Sequence, residues 1–319
     1  MPQQDNLRVF TGNSNPKLAE KIAGKLGIEL GKMVVSRFAD GEIRVKIDES
    51  ARGMDTFIVQ STCCPVNENI MELLIILDAF RRASARRITC VIPYYGYSRQ
   101  DKKVKPREPV SARLVANLLT VAGVNRILAV DLHAEQLQGF FDIPVDHLPA
   151  GPIIADHLIK RGLSDGDTVV VSPDVGGVIR TRALAEILGA PIAIIAKRRP
   201  EPNKAEVMEI IGNVDGKTAV MIDDIIDTGG SIAQGAVELR ARGAKKVYAC
   251  CTHPVLSDDA MMRLEAAPIE EVVVTDTIPL GSEKQNGKTT ILSVAPLLAD
   301  AIGRIHLDQS VSELFKEYW

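Results

Sequence analysis

Short runs of apolar and β-branched residues alternate with amphipathic segments along most of the chain. That alternation constrains the fold more than any single residue does. Thr56–Gln60, Arg87–Pro93 and Arg126–Asp131 read as strands, with helical patterns over Glu68–Arg82 and Arg113–Ala122 between them. The second half keeps the habit, with strands at Thr168–Ser172, Ile192–Ala196, Thr218–Ile222 and Lys246–Cys251 and helices at Val178–Leu188 and Ser231–Arg242. Strands alternating with helices of this length build βαβ units around a mostly parallel sheet, so the fold class is α/β. Ligands of such sheets sit beyond the carboxyl ends of the strands, which makes the strand-to-helix loops the places to search.

The two halves resemble each other. Asp55–Thr62 followed by Phe80–Pro93 matches Lys217–Ile225 followed by Glu238–Pro254, which implies one α/β unit duplicated. At roughly 100–200 residues per domain, 319 residues suit two such units. Pro149, Gly151 and Pro152 interrupt the pattern, which puts the boundary near His147–Pro152 and gives domains over 1–149 and 150–292. Where the second copy carries Asp223-Asp224 after its strand, the first carries Gln60-Ser61, so the first copy lacks the carboxylate pair and serves another role.

Composition removes several function classes. Thirty-eight basic and 41 acidic residues leave a net charge of −3, so no global basic field attracts polyanions. Aromatic residues make up only 4%, too few for a stacking platform on single-stranded nucleic acid. Arg81-Arg82 and Arg86-Arg87 are spaced as a solvated helix end. No apolar stretch approaches the ~18–20 residues of a membrane helix, and the start lacks a basic region followed by an apolar core. Cys63-Cys64, Cys90 and Cys250-Cys251 have neither a disulfide framework nor C-x-x-C metal spacing, and read as reduced, mostly buried small residues. These features predict a cytoplasmic protein without nucleic-acid or membrane partners.

The strongest local signal is Val220–Ser231, leading into the helical run Ile232–Arg242. An apolar strand ends in the carboxylates Asp223 and Asp224. After two apolar residues comes a turn of Asp227, Thr228, Gly229, Gly230 and Ser231 at a helix start. Glycines let several backbone N–H groups point at one anion, and hydroxyls and the helix dipole add donors and positive potential. The paired carboxylates suit vicinal hydroxyls or a hydrated Mg²⁺. Phosphate at one end and a diol at the other describe a sugar phosphate. The arrangement looks like the phosphoribosyl pyrophosphate signature of the phosphoribosyltransferase fold.

Other segments gain meaning beside it. Ser172–Arg180 also follows an apolar strand and enters a helix; Gly176 and Gly177 can present amides to a pyrophosphate, and Asp174 can hold a cation. Ala196–Asn203 places Lys197, Arg198 and Arg199 before Pro200 and Pro202, which reads as an irregular basic arm able to close over a transferring phosphoryl group. Tyr94–Lys103 packs aromatic faces, a guanidinium and an amide together, suited to a nucleotide. His133, in Asp131-Leu132-His133, ends a strand and suits either a structural contact or a metal. Gly212–Thr218 and Gly281–Thr289 have the wrong glycine spacing for a P-loop, and no G-x-G-x-x-G follows a strand.

Together these residues resemble the ribose-phosphate diphosphokinase family, the phosphoribosyl pyrophosphate synthetases of the phosphate-activated class. The resemblance runs from Phe10–Asn13 to Ser310–Phe315. It implies two duplicated phosphoribosyltransferase-like domains, with the tail after about residue 293 packed back on the first. It also implies transfer of the diphosphoryl group of ATP to the C1 hydroxyl of ribose 5-phosphate, giving phosphoribosyl pyrophosphate and AMP. By matching motif, Lys197 and Arg199 would be catalytic, with Arg199 also touching the ribose 5-phosphate. Asp227, Thr228, Gly229, Gly230 and Ser231 would hold its 5-phosphate, and Asp223 and Asp224 its hydroxyls. Arg99 and Gln100 would hold ATP, with Phe38, Asp40, Gly41 and Glu42 contributed by a neighbouring subunit. His133 and Asp174 would contribute to Mg²⁺ binding, with Mn²⁺ a possible substitute. The family further implies a homohexamer that inorganic phosphate activates and ADP inhibits, through Arg52, Gln138, Asp146, Ser310, Ser312 and Phe315. Glu135 departs from the small or neutral residue often found there, and its carboxylate should weaken phosphate activation.

Two rival readings share parts of this pattern. A phosphoribosyltransferase would use Asp223–Ser231 but needs neither a duplicated unit nor Tyr94–Lys103. A non-catalytic regulatory homologue could lose the cations of the basic arm, yet Lys197 and Arg199 are both present.

Overall fold

The apolar runs pair into two separate sheets, one in each half of the chain. The computed structural model describes residues 6–164, 166–198, 207–284 and 287–315. In chain order the first half contains β1 (Leu7–Thr11), α1 (Pro16–Leu26), β2 (Met33–Arg37), β3 (Ile43–Ile47), β4 (Asp55–Val59), α2 (Val66–Arg82), β5 (Arg87–Ile92), α3 (Ser111–Ala122), β6 (Arg126–Val130) and β7 (Val145–Leu148). The second contains α4 (Gly151–Lys160), β8 (Thr168–Ser172), α5 (Val178–Leu188), β9 (Ile192–Arg198), β10 (Val207–Ile211), β11 (Thr218–Ile226), α6 (Gly230–Ala241), β12 (Lys246–Pro254), α7 (Ala260–Ala266), β13 (Glu271–Thr275), β14 (Thr289–Leu292) and α8 (Ala295–His306).

The first sheet has the order β1-β4-β5-β6-β7, all parallel. In the second, β8-β11-β12-β13-β14 repeats that order in parallel; β9 adds beside β8, and β10 pairs antiparallel with β9. Each half thus inserts an antiparallel strand pair after its first βα unit. In the second half the pair extends the sheet, whereas β2 and β3 form a two-stranded sheet of their own.

Helices cover both faces of each sheet, which is why β4, β8 and β13 are buried at every residue. On the first sheet, α2 and α3 fill one face around Leu73, Leu77, Phe80 and Leu119, and α1 fills the other around Leu18 and Ile22. On the second, α6 and α7 lie on one face and α4 and α5 on the other. The helices that follow the last strands cross over. Ile154, Ala155 and Leu158 of α4, which follows the first sheet, pack with Leu184 and Leu188 of α5. Leu298, Ala301 and Ile302 of α8, which follows the second sheet, pack with Leu18 and Ile22 of α1. Each half therefore buries its sheet face with a helix reached from the other.

Three strands, β9, β11 and β12, run further than the hydrophobic pattern indicates. β11 continues through Asp223 and Asp224 to Ile226, because β12 extends to Pro254 and pairs Ile225 with His253 and Ile226 with Pro254. The basic arm is not irregular from its start, since Lys197 and Arg198 belong to β9 and pair with Met208 and Val207. Backbone pairing to a neighbour overrides side-chain polarity in each case. No helix among the described residues is long and apolar enough to cross a membrane. All five cysteines are free thiols, and only Cys64 is exposed.

Candidate active site

The site begins where β11 turns from apolar to acidic. Ala219, Val220, Met221 and Ile222 are buried in the sheet, and the next two side chains are carboxylates. Asp224 is only 3% exposed, so its charge needs partners. Arg180, in the first turn of α5, supplies one: Nη1 lies 3.1 Å from Asp223 Oδ1 and Nη2 3.3 Å from Asp224 Oδ1. His133, just past β6 of the other half, donates from Nδ1 to Asp224 Oδ2 at 2.7 Å.

These partners split the pair. Burial and the adjacent Asp224 push the Asp223 carboxyl well above its ordinary range, which Arg180 only partly offsets. Burial would also raise Asp224, but the hydrogen bond from His133 and the charge of Arg180 hold it low. The His133 imidazole rises in turn, because its hydrogen bond to Asp224 outweighs its own burial. The environment thus favours the ionised form at Asp224 and disfavours it at Asp223, and their oxygens are suited to accepting hydrogen bonds from hydroxyl groups.

Asp227 follows at the start of the glycine turn. Its Oδ2 meets Arg99 Nη1 at 2.6 Å, a second ion pair between the halves. Gly229 is in the left-handed region at φ 71° and forms the α6 N-cap without a side-chain cap bond. A β-carbon there would lie 3.3 Å from the Ala260 carbonyl oxygen and 3.4 Å from Leu264, so any side chain would be crowded as well as strained. Arg263 donates to the Thr228 carbonyl oxygen at 2.8 Å and steadies the turn. Gly230 and Ser231 then open α6, whose first amides face the turn.

The neighbouring loop after β8 is ordered by Asp174. Its Oδ1 accepts the Gly177 N–H at 2.9 Å, and its carbonyl oxygen accepts the Ser172 hydroxyl at 2.6 Å. The Gly177 amide, expected to face a pyrophosphate, is therefore engaged with Asp174. A β-carbon at Gly177 would approach Ser172 Oγ to 2.9 Å. Gly176 is exposed at the loop tip. Among the described residues, no three His, Cys, Asp or Glu side chains stand close enough to cage a metal. A hydrated Mg²⁺ that also takes phosphate oxygens needs only one or two protein ligands. Asp174 offers carboxylate oxygen and His133 a ring nitrogen on that scale.

The remaining residues divide between places near the pair and places far from it. Gln100 accepts from the Ser111 hydroxyl at 2.6 Å, at the foot of α3. Phe38, Asp40, Gly41 and Glu42 form the tip of the β2–β3 hairpin, which packs through Met33, Val35, Val45 and Ile47 on the first half's core. Their bonds stay within the hairpin: Phe38 N to the Glu42 carbonyl, Gly41 N to the Phe38 carbonyl, Glu42 N to Asp40 Oδ1, and Arg37 Nη1 to the Gly41 carbonyl. Phe38 is 52% exposed, with Arg44 5.8 Å from its ring centroid. Lys197 lies on β9 next to β8, and Arg199 falls outside the described residues.

Asp146, Ser310 and Ser312 meet at a separate cleft of about 390 Å³, lined also by Arg126, Asp308 and Gln309. Arg126 pairs with Asp146 at 2.6 Å, and the hydroxyls of Ser310 and Ser312 are 2.7 Å apart. Phe315 closes the short helix Ser312–Phe315 beside them. Arg52 and Gln138 lie on other exposed segments, Gln138 in the short helix Glu135–Phe140.

Arg180 is the functional side chain that sequence reasoning passed over. Its signal was available: it stands three residues beyond Gly177, in the first turn of a helix that opens onto the site. The contribution of β12, through Thr252 and His253, has no sequence signal, because only the sheet register brings it level with Asp224.

Comparisons with known proteins place the chain among its relatives. Residues 7–123 match the family described as the N-terminal domain of ribose phosphate pyrophosphokinase, and residues 170–316 match the phosphoribosyl synthetase-associated domain. The chain is 58% identical over 311 residues to a ribose-phosphate pyrophosphokinase of Fusobacterium nucleatum, covering 98% of both chains. It is 58% identical over 310 residues to that of Bacillus subtilis, covering 97% of both. The crystal structure of the phosphoribosylpyrophosphate synthetase from Mycobacterium smegmatis superposes with a TM-score of 0.90 at 46% identity, covering 95% of this chain and 100% of that one.

Proposed function

The chain belongs to the ribose-phosphate pyrophosphokinase family, and we propose how its residues divide the work of that enzyme. The reaction transfers the diphosphoryl group of ATP to ribose 5-phosphate, giving phosphoribosyl pyrophosphate and AMP. The C1 hydroxyl oxygen bonds to the β-phosphorus while the bridge to the α-phosphoryl group opens. Such a transfer depends on positioning and charge neutralisation more than on covalent help from the protein.

Asp223 and Asp224 accept the ribose hydroxyls, and Asp227–Ser231 with the α6 amides hold the 5-phosphate. Asp174, Gly176 and Gly177 border the diphosphoryl group. Arg99 and Gln100 hold ATP, so Arg99 exchanges Asp227 for the nucleotide when ATP binds. Phe38, Asp40, Gly41 and Glu42 complete the adenine pocket of a second copy, which suits a tip that projects from its own chain. Lys197 and Arg199 stabilise the charge that develops on the transferring group, and Arg199 also contacts the ribose 5-phosphate. Mg²⁺, with Mn²⁺ as a substitute, would neutralise the phosphate charge of ATP, with Asp174 and His133 as the side chains that hold it.

The cleft at Asp146, Ser310 and Ser312 is the proposed regulatory site. Phosphate activates and ADP inhibits there, with Phe315 beside it and Arg52 and Gln138 supplied within a homohexamer. Division of the chain into domains over 1–149 and 150–292, and a cytoplasmic location, complete the reading.

The observation that supports it most is the meeting of His133 with Asp224 and of Arg99 with Asp227, by which side chains of the first half reach the carboxylates and glycine turn of the second. The test is an assay with ATP, ribose 5-phosphate and Mg²⁺, with and without inorganic phosphate. Equal amounts of AMP and phosphoribosyl pyrophosphate are expected, at a rate that phosphate raises. Formation of ADP instead of AMP would contradict the reading.

A further inference from the structure

His133 can pair with Asp224 only if the end of β6 is held at a fixed height against the other half. Asp131, two residues before it, is where the chain is gripped. Asp131 has φ 36°, in the left-handed region that non-glycine residues rarely enter. Four hydrogen bonds hold it there. Its N–H donates to the Leu148 carbonyl oxygen at 3.0 Å. Oδ2 accepts the Ala150 N–H at 3.2 Å and the hydroxyl of Thr252. Its carbonyl oxygen accepts from His253 Nε2 at 3.0 Å.

One proton of His253 is fixed by its partner. A carbonyl oxygen only accepts, so Nε2 carries the hydrogen, while Nδ1 lies 2.9 Å from the Thr277 hydroxyl, which also reaches the Thr252 carbonyl oxygen at 3.0 Å. The ring is 2% exposed and burial drives its pKa down, which keeps it neutral. Tyr94 of the first half packs edge-on against it at 5.0 Å. In the sheet, Asp223 pairs with Cys251 and Ile225 with His253, so Thr252 and His253 stand level with the carboxylates of β11.

We propose that Asp131, Thr252 and His253 form a lock across the two halves, and that they are positioning residues that set where His133 meets Asp224. The lock ties the end of β6 to β12, the strand that also sets the register of the Asp223-Asp224 pair. His133 is thereby held in one tautomer, Nδ1–H toward Asp224, with Nε2 available to the site. This inference rests on the assignment of His133 to the active site.

Thr252→Val keeps the shape and removes the hydroxyl, whereas Thr252→Ser keeps the hydroxyl. His253→Gln retains an N–H within reach of the Asp131 carbonyl and serves if the valine variant does not fold. The first readout is the nitrogen-15 spectrum of the five histidines in the substrate-free, metal-free protein, recorded at alkaline pH where the imidazoles are neutral, with the His133 signal identified by its loss in His133→Asn. In Thr252→Val the His133 nitrogens are expected to move toward the tautomer average. In Thr252→Ser and His253→Gln they should stay at the wild-type positions.

The second readout is kinetic. Thr252→Val should lower kcat at least tenfold, with the KM for ribose 5-phosphate changing less than about threefold, and Thr252→Ser should restore it. An unchanged His133 signal in Thr252→Val, or equal losses in the valine and serine variants, overturns the lock. Full kcat in His133→Asn would overturn its relevance to catalysis. A wild-type protein that forms no phosphoribosyl pyrophosphate refutes the functional reading instead, and leaves the spectral result to decide the lock.

Discussion

The ends of β4 and β11 occupy the same place in the two halves and have opposite tasks. Counted from the first paired residue of each strand (Asp55 against Arg87, Thr218 against Lys246), Gln60 and Asp223 stand at the same level. Gln60 is wholly buried and donates to Glu72 Oε1 at 2.9 Å while its carbonyl accepts the Ser14 hydroxyl at 2.8 Å. Ser61 donates to the Thr277 carbonyl of the other half. The amide and hydroxyl are spent on internal bonds, and the loop continues through Cys63, Cys64 and Pro65 with no glycine. At β11 the same level carries two carboxylates, and a glycine turn opens α6. One strand end is a joint and the other has the makings of the proposed ligand site, because only the second sets anionic acceptors beside a glycine turn at a helix N-terminus.

The inserted strand pairs differ in the same sense. The β2–β3 tip projects from its own chain, whereas β9 lies in the sheet beside the glycine loops and carries Lys197. Lys197→Ala is therefore expected to have the largest effect, a fall in kcat on the order of 10²–10³-fold with little change in KM. Steady-state kinetics checks this, and a normal kcat would remove Lys197 from the reaction. Arg180→Ala leaves Asp223 and Asp224 facing each other with one counter-ion fewer. Breaking a mostly buried ion pair costs on the order of 3 kcal/mol, which urea unfolding would register together with weakened ribose 5-phosphate binding.

A third substitution makes the first half imitate the second. Gln60→Glu puts two carboxylates in contact at Glu72 and should destabilise the fold by about 1–3 kcal/mol at pH 7. The shared site raises the folded-state pKa above the unfolded value, so the loss is complete above the folded pKa. It fades as the pH falls from there toward the unfolded value, near ~4.3, and is gone below it. Unfolding midpoints at pH 7 and pH 4 would separate this from a packing defect, which would persist at both. Gly229→Ala should cost roughly 1–2 kcal/mol through its left-handed backbone and raise the KM for ribose 5-phosphate.

The smallest effect concerns His133 in metal-free protein. Its pKa is raised by Asp224, so the stability from this pair is complete below the unfolded value near ~6.5 and is lost as the pH rises through the folded one. The destabilisation caused by His133→Asn should shrink between pH 6 and pH 9.

Much of this was legible in the sequence, and the gaps have physical causes. Thr168–Ser172 and Val178–Leu188 are found where the periodicity puts them, because their ends coincide with changes of side-chain type. The apolar pattern of β11 stops at Ile222 although the strand continues to Ile226, since polarity there does not mark the end of backbone pairing. The β2–β3 hairpin alternates half-buried and exposed residues weakly and gives little signal. Asp223, Asp224 and Gly229 were recognisable because their spacing is local. Arg180 and His133 reach the carboxylates from α5 and β6, and His253 acts through register, so their meeting depends on tertiary structure that no spacing records.

The division of labour between the two strand ends is tested most directly by titration calorimetry on the Asp223→Asn/Asp224→Asn protein. Ribose 5-phosphate and ATP are titrated separately, and Arg99→Gln serves as the reciprocal variant. Ribose 5-phosphate binding should be lost in the double variant while ATP affinity stays within about threefold of wild type, with the opposite pattern in Arg99→Gln. Undiminished ribose 5-phosphate affinity in the double variant would contradict the account.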